Sequence, residues 1–241
     1  MTGSDDRSRR RLAAAARLGA ATWGLYCLPG LTAIWRPLRP VLGVDDQTPG
    51  RTGVALTFDD GPHPQGTSAV LEVLAQRGWP ATFFLVGEQV ERNPALAAEV
   101  VAAGHGVGLH CHRHRNLLRL GPGQVGEDLS RATALIEDAT QRRPRLYRPP
   151  YGIFNAAALG WARRAGMRPL LWTQWGRDWD TEATPGSIAG RVLDGVGPGA
   201  VLLLHDADYY SAAGSWRRTA AALPVVLDEL ERLGLSAEAP G

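Results

Sequence analysis

Short apolar runs alternate with stretches of helical period from Gly53 to Leu235. Val54 to Phe58, Ala81 to Val86, Gly106 to Leu109, Leu146 to Arg148, Pro169 to Trp172 and Ala200 to Leu204 are short and nearly continuous in hydrophobicity, the mark of strands buried on both faces. Between them the pattern predicts helices over Ser68 to Gln76, Val125 to Ala139, Asn155 to Ala165, Ser187 to Val196 and Trp216 to Leu233. Asn93-Pro94 offers a cap and a first-turn proline for another helix through Val101. Strand-helix repetition of this kind predicts an α/β domain with a parallel sheet, open or closed into a barrel. Chemistry in such sheets gathers beyond the carboxyl ends of the strands, which directs attention to the polar residues there.

The chain of 241 residues, 44% hydrophobic, suits one substantial core with appendages. Its 26 basic residues are all Arg and 24 acidic residues balance them to +2, which is no nucleic-acid footprint. Cys27 and Cys111 alone cannot build a disulfide framework or a four-thiolate zinc site. Residues 1–52 form a separate unit in pattern. Arg7, Arg9, Arg10 and Arg11 precede an uncharged, mostly apolar run over residues 18–35, and a connector rich in Pro, Gly and Asp follows from Arg36 to Thr52. Two readings of the run stand: an uncleaved signal anchor that associates with a membrane, or a helix and apolar loop packed on the domain. The expected organisation is an N-terminal segment over 1–52, a catalytic domain over 53–235 and a tail over 236–241.

Each expected strand end carries polar residues of a different kind. The first ends in Thr57-Phe58-Asp59-Asp60-Gly61-Pro62, and adjacent Asp residues in a turn are by themselves most often caps. The third leads into His110-Cys111-His112-Arg113-His114, where a spacing of four could set His110 and His114 on one face of a helical turn as a metal clamp. Four of the six histidines lie between His105 and His114, which favours metal over a plain polar loop. The fourth strand ends in Arg148-Pro149-Pro150-Tyr151-Gly152. Gly176-Arg177-Asp178-Trp179-Asp180 follows the fifth, and Leu203-Leu204-His205-Asp206 closes the sixth.

With these motifs in this order, the chain from Gly53 to Leu235 resembles the polysaccharide deacetylase family, the NodB-homology domains of carbohydrate esterase family 4. The resemblance implies a distorted (β/α) barrel, usually of seven strands, to which the chain's own pattern adds an N-terminal hydrophobic helical appendage. It implies Asp60, His110 and His114 as a metal triad for Zn²⁺ or another divalent transition metal. Asp59 would be the general base, paired with Arg148, and His205 the general acid, held by Asp178. The backbone amide of Tyr151 would stabilise the oxyanion. Trp179 and Leu203 would form the pocket for the acetyl methyl, beside Tyr151.

The activity so implied is metal-dependent removal of N-acetyl groups from N-acetylglucosamine-type units of a polysaccharide or glycoconjugate. An acetylated glycan would be the partner, and the cell envelope the expected location, anchored or exported, with a cytoplasmic one still open. Three positions depart from the family pattern. Leu109 and Cys111 flank the first histidine where Asn and Ser or Thr are common, and Trp175 stands where an Asp usually opens the fourth motif. Hydrolysis of another linear or cyclic amide is the competing activity, and a non-catalytic carbohydrate-binding module the competing class. The intact set of Asp59, Asp60, His110, His114 and His205 weighs against a pure binder. The loop Asp206 to Trp216, with Tyr209 and Tyr210, is expected to shape the substrate groove, and His112 to lie at the surface or in the groove.

Overall fold

Seven parallel strands run through the molecule in the order β5-β4-β3-β2-β1-β7-β6. They are β1 Ala55–Asp59, β2 Thr82–Val86, β3 Gly106–Cys111, β4 Leu146–Tyr147, β5 Arg168–Pro169, β6 Gln174–Trp175 and β7 Val201–His205. The computed structural model describes residues 17–240, so the Arg7 to Arg11 cluster lies outside the described residues. β5 and β6 occupy opposite ends of the strand order yet are only four residues apart in sequence. That connection spans about 17 Å at full extension, so the sheet must curl until its edges nearly meet. The architecture is therefore the α/β, seven-stranded, barrel-like one expected from the resemblance. Its incomplete wall is covered by residues 44–48, where Asp45 bridges Leu170 and Gln47 bridges Ala200. The stretch anticipated as a connector is thus hydrogen-bonded into the structure.

Alternation along the strands builds two cores, because successive side chains point to opposite faces. Phe58 and Phe83 stack 5.1 Å apart in the large cluster beneath the helices. Phe84, one residue on, joins Ala55, Leu146, Leu170 and Val201 inside the curled sheet. The outer helices are α3 Gly66–Arg77, α4 Gly87–Arg92, α5 Pro94–Ala102, α6 Pro122–Thr140, α7 Ala156–Arg164, α8 Pro185–Leu193 and α9 Ser215–Arg232. The N-termini of α7 and α8 are closed by the side chains of their own cap residues. Asn155 accepts from the Ala158 amide at 2.8 Å, and Thr184 with Ser187 forms a reciprocal box. Asn93 makes no such bond to α5; its amide group donates instead to Gln89 O at the end of α4, a short polar helix that hydrophobic period does not reveal.

At the N-terminus, residues 17–27 form α1, followed by a 3₁₀ turn over Leu28–Ala33 and the short α2 over Leu38–Val41. Among the described residues no helix is long and apolar enough to cross a membrane. The turn is docked, with Pro29 and Thr32 buried. Tyr26 donates to Leu120 O at 2.7 Å and accepts from Asn155 at 2.9 Å. At the base of the barrel, the Glu238 carboxylate accepts amides from Gly50, Thr52 and Gly53, which ties the tail to the start of β1.

Candidate metal and acid-base site

A cavity of about 250 Å³ opens at the carboxyl end of the sheet, and every side chain assigned from the motifs to metal, base, acid or acetyl pocket lines it or supports a residue that does. β1 delivers two of them through a break in its own regularity. A continuing strand would send Asp59 and Asp60 to opposite faces, but Asp60 leaves the strand with φ 83°, a conformation unusual for a residue with a Cβ, and both carboxylates line the same cavity. β3 delivers His110, and the loop beyond it returns His114. The two histidines are not on a helical turn as their spacing suggested: His110 belongs to the strand and His114 follows a bend, yet their rings lie 5.3 Å apart. Asp128 on α6 folds that bend by accepting the His112 amide at 2.7 Å, the Arg113 amide at 3.3 Å and the Arg115 guanidinium at 2.7 Å.

Asp60, His110 and His114 each offer one ligand atom, all within 4.8 Å of one another. Both imidazole Nε2 atoms stand 3.4 Å from Asp60 Oδ1, a buried oxygen with no hydrogen-bond donor. An unpaired buried carboxylate oxygen facing two imidazoles is costly by itself, and a divalent cation resolves it. One O and two N donors suit Zn²⁺ or a similar transition ion with positions left open. Protonation states agree. Burial would raise Asp60, but its contact with His110 and the nearby His205 and His114 hold it down at about 2. Burial lowers His114 to about 4 despite the attraction of Asp60, so its ring is neutral near pH 7. His110 Nδ1 lies 2.7 Å from the carbonyl of Arg148, a contact that leaves Nε2 free to face Asp60.

A carboxylate, Asp59, and an imidazole, His205, line the same cavity as this triad, each with a buried partner. Arg148 is fully buried, and its guanidinium donates to Asp59 Oδ1 at 2.7 Å, Thr57 Oγ1 at 2.9 Å and the carbonyls of Leu170 and Leu171 at 3.2 Å. It lies 4.1 Å over the Phe84 ring. His205 shares a 2.9 Å contact between Nδ1 and Asp178 Oδ1, and its own amide donates to Asp178 Oδ2 at 2.6 Å. Thr219 on α9 donates a further bond to Asp178 at 2.8 Å. Burial alone would lower His205, but Asp178, with Asp60 and Asp59 beyond it, pushes it up to about 10, so it carries its proton at neutral pH. Trp179 meets the His205 ring edge-on at 5.3 Å, Leu203 lines the cavity, and Tyr151 sits at its rim with φ 60° and an exposed side chain.

Several supporting residues carry no motif. Tyr210 stacks on His114 with ring centroids 4.3 Å apart and planes 12° apart. Its hydroxyl donates to Glu88 at 2.7 Å and accepts from Gln89 at 3.0 Å, both on α4. Tyr210 lines the cavity as expected of its loop, while Tyr209 packs against His63 instead. His112 is buried rather than in the groove or at the surface, wedged near Gly87 and Ala132. Of the three departures, Leu109 joins the core, and Cys111 is fully buried with its thiol raised well above the ordinary range by burial and surrounding carboxylates. Trp175 is 44% exposed at the cavity mouth, between Trp172 at 5.8 Å and Trp179 at 5.1 Å.

A donor triad, a carboxylate with its cation and an imidazole with its carboxylate, gathered in one cavity of a curled parallel sheet, define a hydrolase-type site. A family model described as polysaccharide deacetylase matches residues 46–170. A chitooligosaccharide deacetylase from Bradyrhizobium is 42% identical over 160 residues, 65% of this chain and 72% of that protein. A peptidoglycan-N-acetylglucosamine deacetylase from Bacillus cereus is 36% identical, with 75% and 83% covered. Among solved structures, a family 4 carbohydrate esterase from Streptomyces lividans in complex with acetate superposes with a TM-score of 0.70 at 33% identity, covering 78% of this chain and 94% of that one. The chain belongs to the polysaccharide deacetylase family.

Proposed function

We propose that this chain hydrolyses the N-acetyl group of N-acetylglucosamine-type units in a glycan or glycoconjugate, releasing acetate and a free amine. The observation that carries the reading is the convergence of the Asp60-His110-His114 triad, the Asp59-Arg148 pair and the His205-Asp178 pair on one cavity. Asp60, His110 and His114 would hold Zn²⁺ or a similar divalent ion, which when bound supplies an acidified water and polarises the amide carbonyl. Asp59, fixed by Arg148, accepts the proton of the attacking water. The backbone amide of Tyr151 supports the oxyanion that develops on the carbonyl. His205, kept protonated by Asp178, gives a proton to the amine nitrogen, without which an amine leaves poorly. Leu203 and Trp179 receive the acetyl methyl. Residues 53–235 constitute the catalytic unit in this reading, and the protein acts at the cell envelope.

Acetate release from N-acetylglucosamine oligomers and from peptidoglycan, measured on metal-stripped protein with and without added Zn²⁺, tests this directly. Metal-dependent release is the expected result. No release from either, with Zn²⁺ shown to be bound, overturns the glycan assignment and turns the reading to another amide.

A further inference from the structure

We infer that residues 17–35 form a face that lies on an anionic lipid bilayer and holds the cavity mouth against it. Residues 17–25 are exposed throughout, and no charge occurs from Leu18 to Trp35. An apolar helix exposed all round belongs against a nonpolar partner. The 3₁₀ turn continues the face in one direction only. Pro29 and Thr32 point inward, while Leu31, Ile34 and Trp35 are 45%, 84% and 56% exposed. Trp23 and Trp35 supply exposed indoles, the side chain that concentrates at membrane interfaces.

Charge selects the occupant. From Arg7 to Val44 the sequence holds seven Arg and neither Asp nor Glu. Only Arg39 among the described ones is buried, paired with Asp46. A second copy of the chain would bring the same cationic surface and repel it, whereas anionic headgroups attract it. The eleven described residues of α1 extend about 16 Å, short of a ~30 Å hydrocarbon core, so the described part of the face rests in the interface.

The position of the face gives it a role. Gly30 packs against Ile153 and Phe154, just past the turn bearing Tyr151, and Arg36 donates to the Thr173 carbonyl beside Trp172. The first anchor point lies past the carboxyl end of β4, the second adjoins Trp172, which lines the cavity, and Tyr151 and Trp175 are exposed at the mouth. A docked face therefore presents the cavity to the headgroup layer. Resting on the deacetylase reading, it assigns the substrate as an N-acetylated sugar carried on a lipid.

The test is flotation of the full chain with phosphatidylcholine vesicles that contain or lack phosphatidylglycerol, beside the variant Leu25→Ser/Ile34→Ser/Trp35→Ser. The expected result is flotation with the anionic vesicles and a loss of about tenfold or more in partitioning for the variant. Acetate release from soluble N-acetylglucosamine oligomers should be unchanged in the variant, while release from a vesicle-borne N-acetylglucosaminyl lipid falls. No flotation, equal flotation of the variant, or a dimer in sedimentation that the variant abolishes overturns the docking face. Flotation that persists without acetate release from any sugar instead overturns the deacetylase reading and leaves the face standing.

Discussion

Replacing Arg148 with Met isolates what the buried cation contributes. Met preserves an apolar stem against Phe84 but removes the four donors that serve Asp59, Thr57 and the carbonyls of Leu170 and Leu171. Asp59, 3% exposed, is then left in a buried site without its partner. Breaking a buried pair from one side costs about 3–5 kcal/mol, against a total stability on the order of 5–15 kcal/mol for a domain. Urea unfolding of metal-stripped protein, followed by circular dichroism, should therefore show the midpoint falling steeply with little change in slope. Removing the stranded charge as well, in Arg148→Met/Asp59→Leu, should recover about half of the loss or more, because an apolar pair no longer buries an uncompensated ion. A loss under about 1 kcal/mol, or a double variant no more stable than Arg148→Met, would refute the claim that the Asp59 charge is what demands a cation at 148.

Three further outcomes are expected. His110→Ala should lose bound Zn²⁺ together with activity, whereas Asp59→Asn should retain the ion in metal analysis and lose turnover; the reverse pattern would overturn the division of labour. Asp178→Asn removes the largest influence raising His205, whose folded value of about 10 keeps it protonated below that pH. Its titration should then fall back toward ordinary imidazole values, and the alkaline limb of the kcat profile should move to lower pH; an unmoved limb would show that Asp178 does not set the acid. Tyr210→Ala should weaken Zn²⁺ binding about 2- to 13-fold in a chelator competition, the equivalent of ~0.5–1.5 kcal/mol of ring stacking, while Tyr210→Phe stays near the parent. Equal weakening in Phe and Ala would assign the effect to the hydroxyl bonds with Glu88 and Gln89 instead.

What could be read from the chain depended on how far each cause acts along it. Long buried strands such as Thr82–Val86 and Val201–His205 declare themselves because a parallel sheet covered on both faces needs unbroken hydrophobicity. Gln174–Trp175 does not, since two residues hydrogen-bonded to β7 leave no periodic trace and merge with the run before them. The candidate metal triad was legible as chemistry but not as geometry. Spacing placed His110 and His114 on a helical face, whereas a strand end and a loop pinned by Asp128 bring them together. Thr219, Tyr210 and Glu88 act across 41, 96 and 122 positions to reach Asp178, His114 and Tyr210, distances over which no local pattern carries information. His112 went to the interior because α4 and α6 close over it, and α4, a single polar turn and a half, is itself invisible to hydrophobic period.

The two thiols make the molecule a single-address substrate for alkylating reagents. Cys111 is sealed under the histidine loop with its thiol held in the unreactive protonated form, while Cys27 is partly exposed where α1 meets the 3₁₀ turn. A polarity-sensitive dye coupled to the native chain would therefore attach at Cys27, several residues from Trp23 and Trp35 and outside the lining of the candidate cavity. Its emission would report whatever covers the apolar end of the molecule, in protein whose hydrolytic chemistry has not been altered to install it.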